Sequence, residues 1–188
     1  MRVLYCFIFV LLIEWSYSDC GVVTKKEWDG LPAQRVEYLP RPVNLVIIEH
    51  TGGQSCGTPD KCKEELRSSQ LQMIMNNYTD IAYSFMVGGD GKVYEGVGWV
   101  RAGSHTYAYD HKSIGIAFIG NYNNDTPTAE QLEAVKGLLK CGVDEGHLTP
   151  DYHIVGHNQV LAKTQSPGRK VYNEIKKWPH YLDKVGQI

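Results

Sequence analysis

Apolar and polar positions along this chain follow two rhythms, and the switches between them mark its elements. Residues 45–50, LVIIEH, are a near-continuous apolar run ending on an acid and an imidazole. A short unbroken run of this kind reads as a strand covered on both faces. The next segment, TPDKCKEELRSSQLQMIMNN, has the helical period. Cys62, Leu66, Ser69 and Met73 share one of its faces, Thr58 is placed to cap it, and Pro59 suits its first turn. YSFMVGGDGKVYEGVG alternates on both sides of Asp90-Gly91, a strong hairpin turn. SIGIAFIGNY, from Ser113 to Tyr122, predicts another buried strand. TAEQLEAVKGLLKCGV predicts a helix opened by a capping box of Thr128 and Gln131, with Leu132, Val135 and Leu139 as its buried stripe. DYHIVGH reads as a short strand. Gly168 to Trp178 reads as a terminal helix stopped by Pro179. Strand and helix signals thus alternate without repeats or low-complexity linkers, which predicts an α/β layer fold.

The N-terminus breaks this pattern. A basic start at Met1 and Arg2 precedes an apolar run from Val3 to Ile13, and Ser16-Tyr17-Ser18 sets small residues where a signal peptidase reads. The run is shorter than the roughly 20 apolar residues that span a bilayer. Residues 1–18 are therefore read as a secretory signal and 19–188 as one mature domain. The 43% hydrophobic content of the 188 residues supports a real core, and a formal charge of −2 leaves no electrostatic footprint for nucleic acid or anionic membrane. A partner is better met through a polar and aromatic surface, which the twelve tyrosines suit.

Loss of the signal removes Cys6 and leaves Cys20, Cys56, Cys62 and Cys141. An even number in a secreted chain points to two disulfides, with three pairings open. Cys56 and Cys62 flank a short loop and are paired on that ground, which leaves Cys20 with Cys141. That long closure is worth about 4–5 kcal/mol in the chain-entropy account. The spacing lacks paired CxxC, which argues against a cysteine zinc site. Two glycosylation sequons occur, Asn77-Tyr78-Thr79 and Asn124-Asp125-Thr126.

Seven histidines invite a metal reading. His153 and His157 are four apart, but β-branched neighbours place them on a strand, where that spacing is about 13 Å and precludes a shared ion. A site must be assembled from separate strand ends, at Glu49-His50 and at His157. A catalytic zinc takes three protein ligands and an open position. The loop after His157, NQVLAKTQSPG, offers Gln165 and Ser166 but no Cys, His, Asp or Glu. His157 alone reads equally as a hydrogen-bonded cleft or core histidine.

Taken together, NLVIIEHTGGQSCGTPDKC, DIAYSFMVGGDGKVYEGVGW, GSHTYAYDHKSIGIAFIGNY, GLLKCGV, YHIVGHNQV, SPG and WPHY resemble the peptidoglycan recognition proteins, above all the short secreted insect type. The resemblance runs from about Cys20 to Tyr181. It implies a fold like that of N-acetylmuramoyl-L-alanine amidases: a central, mostly parallel mixed sheet with helices on both sides and a peptide cleft. It also implies the same two disulfides. The amidase members' three zinc positions map to Glu49, His157 and Ser166, so two of three ligands are replaced. Without zinc there is neither an activated water nor a Lewis acid for the amide. The resemblance therefore implies a non-catalytic binding protein that needs no cofactor. The alternative is a zinc amidase or other peptidoglycan hydrolase.

The same resemblance maps cleft contacts onto His50, Thr51, Asn77, Tyr78, Tyr83, Val97, His105, Tyr107 and His157. Gln72 and Asn76 stand where some members carry His and Arg. Asn77-Tyr78 and Val97 resemble the lysine-type pattern, since Val97 offers no cation for the extra carboxylate of diaminopimelic acid. His50 is expected to face the cleft, with Glu49 at the abandoned metal position and hydrogen-bonded to His157. A glycan on Asn77 would crowd the cleft, so Asn77 is expected to be unmodified. The implied partners are peptidoglycan and muropeptides, then serine proteases of an immune cascade of Toll or prophenoloxidase type.

Overall fold

Residues 20–187 are described by the computed structural model, so the expected signal segment 1–18 lies outside the described residues. Six strands form one sheet there: β1 (Val22–Val23), β2 (Val43–His50), β3 (Phe85–Val87), β4 (Val93–Glu95), β5 (Ile114–Phe118) and β6 (Leu148–Gly156), in the order β1-β4-β3-β5-β2-β6. Every pairing is parallel except β3 with β4, the hairpin that closes at Asp90-Gly91. The helices are α1 (Pro59–Met75), α2 (Ala129–Asp144), α3 (His157–Val160) and α4 (Arg169–Ile175). This is the mixed, mostly parallel α/β architecture expected.

Strand periodicity divides the core between the two faces of the sheet. Val46 and Ile48, Ile114, Ile116 and Phe118, Phe85 and Val87 point to one face, where they pack on Val135, Leu138 and Leu139 of α2 and Val171 and Ile175 of α4. The intervening residues point to the other face, whose cover comes in two pieces. Met86, Tyr94 and Ala117 pack under Cys62 and Leu66 of α1. Leu45, Ile47 and Val155 lie under Val160, Leu182 and Val185. Glu49 continues the series Leu45, Ile47 and so emerges on this second face.

Helix termini behave as the sequence signals predict. The Thr58 hydroxyl accepts from Lys61 N–H at 3.4 Å. At α2 the box is complete, with Thr128 Oγ1 accepting from Gln131 N–H at 3.2 Å and Gln131 Oε1 accepting from Thr128 N–H at 3.1 Å. Both disulfides form as expected, Cys20–Cys141 tying the start of the described chain to α2 and Cys56–Cys62 fixing the entry to α1.

Some boundaries and stripes differ from the sequence expectation. The third buried position of α1 is Gln70 rather than Ser69 or Met73. Its amide is fully used, accepting from Leu31 N–H at 2.8 Å and donating to Leu31 O at 2.9 Å and Asp80 Oδ1 at 2.8 Å. In α2 the buried set is Gln131, Val135, Leu138, Leu139 and Gly142, with Leu132 only partly covered. Gln131 turns inward because its amide also donates to Tyr122 Oη at 2.7 Å. Strand β5 stops at Phe118 and α4 at Ile175, each short of the expected run. His157 is not a strand residue but opens α3.

Below the sheet, the imidazole of His147 stacks on Trp99 with 5.0 Å between ring centroids, and its Nδ1 accepts from Arg41 Nη1 at 2.5 Å. Burial lowers the His147 pKa, and the Arg41 charge lowers it further against a smaller opposing pull from Glu145. The unfolded chain takes up this proton near pH 6.5 while the folded protein resists it, so folded stability falls as pH drops from about 6.5 toward the lowered value. Urea unfolding at pH 7.5 and pH 5.5 is expected to show wild type losing stability on acidification, and His147→Gln losing measurably less.

Candidate functional site

The two-piece cover leaves a gap between α1 and the α3 side, and the gap is a cleft of about 430 Å³. Glu49, His50 and Thr51 supply its floor from the end of β2, and Gln72, Met73, Asn76 and Tyr78 form the α1 wall. Tyr83, Ser104 and His105 come from the connections around the hairpin, and His157, Thr164 and Ser166 from the segment after β6. A second compartment of about 270 Å³ adjoins it, sharing Tyr78 and Ser104 and adding Asn77, Val97 and Arg101.

At the centre is Glu49, 1% exposed. Its Oε1 lies 2.7 Å from His105 Nδ1 and its Oε2 lies 3.2 Å from His157 Nδ1. The His105 tautomer with hydrogen on Nδ1 is the one that makes its close contact favourable. His105 Nδ1 is also 3.0 Å from Thr106 Oγ1, and that hydroxyl donates to Glu49 Oε1 at 3.4 Å. The expected Glu49–His157 hydrogen bond is not formed: the two groups lie 3.2 Å apart, but His157 Nδ1 has no hydrogen-bond partner among the described residues. Burial lowers the His157 pKa, opposed by Glu49 and reinforced by His105.

His50 is held from behind. Its Nδ1 accepts from Tyr122 N–H at 3.2 Å, and its own N–H donates to Ser166 Oγ at 3.0 Å. Burial, and then the neighbouring His157, lower the His50 pKa. Thr51 Oγ1 accepts from Gly120 N–H at 3.0 Å. Tyr83 is raised well above the ordinary phenol range, first by burial and then by Glu49, so its hydroxyl stays protonated as a donor.

The site residues expected from the sequence are not all brought together. His50, Thr51, Tyr78, Tyr83, His105 and His157 line the main cleft, as do Gln72 and Asn76. Asn77 and Val97 line the adjoining compartment. Tyr107 is 87% exposed and lines neither. Val97 itself offers no cation, as expected of its side chain, but the same compartment is lined by Arg35 and by Arg101. Arg101 Nε donates to Val97 O at 2.8 Å, and Arg101 Nη1 is 3.4 Å from buried Asp80, which also pairs with Lys25.

The zinc positions implied by the resemblance do not fit a zinc ion. Glu49 is engaged by two imidazoles, and Ser166 presents a neutral hydroxyl that already accepts the His50 N–H. Among the described residues no three His, Cys, Asp or Glu side chains are placed to hold a metal ion. Ser166, His157 and Glu49 are also the residue types of a nucleophile–base–acid relay. That relay is not connected, since neither His157 nitrogen has a hydrogen-bond partner.

The sequence reading missed the pairing of Glu49 with His105, although one signal was present. Gly115 sits inside β5, and a glycine within a strand marks a close approach by something else. Here it is His105: a Cβ on Gly115 would stand 2.5 Å from His105 Cγ.

Comparison with known proteins places the chain among relatives of the same fold. The family model described as N-acetylmuramoyl-L-alanine amidase matches residues 39–169. A "Peptidoglycan recognition protein" of Trichoplusia ni is 56% identical over 184 residues, covering 97% of this chain and all of that protein. The structure titled "Manduca sexta Peptidoglycan Recognition Protein-1" superposes with a TM-score of 0.85 at 51% identity, covering 89% of this chain and 96% of that one. A peptidoglycan recognition protein-LE in complex with tracheal cytotoxin, described as monomeric diaminopimelic acid-type peptidoglycan, gives 0.85 at 35% identity, covering 89% and 99%.

Gly115→Ala is expected to force the His105 ring off the sheet and to cost about 1–3 kcal/mol, the usual range for overpacking. Chemical denaturation measures the loss. A crystal structure of the variant should show the Glu49–His105 contact broken.

Proposed function

The chain belongs to the peptidoglycan recognition protein family, and from that premise we propose that it is a secreted receptor that binds bacterial peptidoglycan without cutting it. The observation that carries this reading is the state of Glu49. A carboxylate flanked by two imidazoles stands at a position that the family resemblance assigns to a hydrolase's metal ligands. The cleft keeps what binding needs: a protonated Tyr83 hydroxyl, the His50 ring fixed by Tyr122, and the Thr51 and Asn76 side chains along the walls.

The ligand is proposed to be the stem peptide of peptidoglycan, and the preference to be for lysine-type stems. Two cations of the second compartment could oppose this: Arg35, which pairs with the exposed Glu37, and Arg101. The Arg101 guanidinium is turned to the carbonyls of Val97 and Gly96 and to Asp80, which leaves little of the fork for a ligand carboxylate. The relative bound to tracheal cytotoxin holds a diaminopimelic acid-type ligand, so the two types are the comparison to make. Secretion is supported by the two disulfides, which belong to an oxidising compartment, and by the leader-like residues 1–18. Ligand capture is proposed to pass to serine proteases of an immune cascade, of Toll or prophenoloxidase type. Asn77 lines the compartment beside the cleft and is proposed to remain unglycosylated.

Mature protein incubated with a lysine-type muropeptide and zinc, then separated into bound and free fractions for mass spectrometry, decides between receptor and hydrolase. Intact ligand enriched in the bound fraction is expected. Product cut between the lactyl group and L-alanine would overturn the reading. Tyr83→Ala is expected to weaken binding about tenfold by calorimetry, the loss of one donor from a desolvated cleft, and diaminopimelic-type muropeptide is expected to bind more weakly than lysine-type.

A further inference from the structure

The histidines under the cleft present the wrong atoms for polar recognition. The His105 side chain is 0% exposed and that of His157 is 10% exposed. Both nitrogens of His157 and Nε2 of His105 are closed to solvent. The part of His157 that a ligand can touch is therefore carbon. An imidazole ordinarily turns a nitrogen toward water, because a buried nitrogen without a hydrogen-bond partner is costly. His157 is buried without such a partner among the described residues, and the group it faces on the inner side is the Glu49 carboxylate, within 3.2 Å of His157 Nδ1 and 2.7 Å of His105 Nδ1.

We propose that Glu49 is a positioning residue that keeps Nδ1 of His157 turned inward, away from the cleft, so that the floor meets an apolar group of the ligand with ring carbon instead of hydrogen-bonding to it. The inference rests on the cleft being the stem-peptide site. The group that suits a seat of ring carbon beside the Ala82 and Met73 walls is a methyl, such as an alanine side chain of the stem. The opposite orientation, nitrogens outward, would favour a hydroxyl or amide at the same place. The carboxylate supplies the asymmetry: it approaches Nδ1 of both His157 and His105.

Two experiments test the proposal, one of them without ligand. Native protein is treated with diethyl pyrocarbonate and its histidines are mapped by mass spectrometry. His111, whose side chain is 65% exposed, should label readily. His105 and His157 should stay unlabelled, and His157 should become labelled in Glu49→Gln. Rapid labelling of His157 in folded wild type would overturn the proposal, and this holds even if Glu49→Gln fails to fold. Binding is then measured by calorimetry for muramyl tetrapeptides in which each alanine in turn is replaced by glycine or serine. One position should lose about fourfold with glycine, the worth of a buried methyl, and should lose at least as much with serine. In Glu49→Gln the difference between alanine and serine at that position should shrink or reverse. Serine binding better than alanine to wild type would overturn the proposal. Wild type that binds no muropeptide at all would overturn the receptor reading and the ligand half of the inference, while the labelling result would still judge the ring orientation separately.

Discussion

A carboxylate taken out of water at the end of a central strand is strongly unfavourable unless protons are brought to it. Glu49 is in that position, and the rest of the cleft is arranged around meeting its demand. Three chain segments that lie far apart in sequence converge on it: β2 itself, the connection that carries His105 and Thr106 to β5, and the junction of β6 with α3 that carries His157. Removing one partner would leave a buried charge uncompensated. The contacts therefore act as a non-metal clamp on the floor of the cleft.

The clamp is possible because one face of the sheet is incompletely covered. On the opposite face α2 and α4 pack continuously over the strands. Here α1 covers one side, and α3 with the C-terminal residues covers the other. Glu49 and Gly115 fall between, the first with a charged side chain and the second with none, which lets an imidazole lie against the backbone of β5. The cleft is thus a consequence of layer geometry, and its chemistry depends on which side chains the two-residue strand period delivers to the gap.

The same arrangement explains how an amidase-like fold is read as a receptor. A hydrolase needs donors that leave lone pairs facing the substrate. Here the carboxylate is engaged from behind, the Ser166 hydroxyl accepts a backbone N–H, and the histidine nitrogens are turned inward. The polar groups that remain at the walls, Tyr83 and Thr51 among them, are suited to holding a peptide. In the second compartment Arg101 turns to Asp80 and Arg35 pairs with Glu37.

Local signals in the sequence determined most of the elements. Capping by Thr58 and Thr128, the Asp90-Gly91 turn, the apolar strand runs and the disulfide pairing are all short-range or countable features, and each has its counterpart in the structure. The motif set was enough to mark the family and to bring six of the nine proposed contacts to one cleft. The tertiary structure decided the rest, because it depends on partners distant along the chain. Gln70 is buried since Leu31 and Asp80 satisfy its amide, a pairing that no helical period reveals. Tyr107 stays in solvent although its neighbour His105 is fully enclosed, and Arg101 reaches the compartment that Val97 alone would leave without a cation. Above all, residue order places Glu49 at the end of a strand, but only the tertiary packing encloses His105 over Gly115 and sets His157 at the start of α3 with its nitrogens closed to solvent.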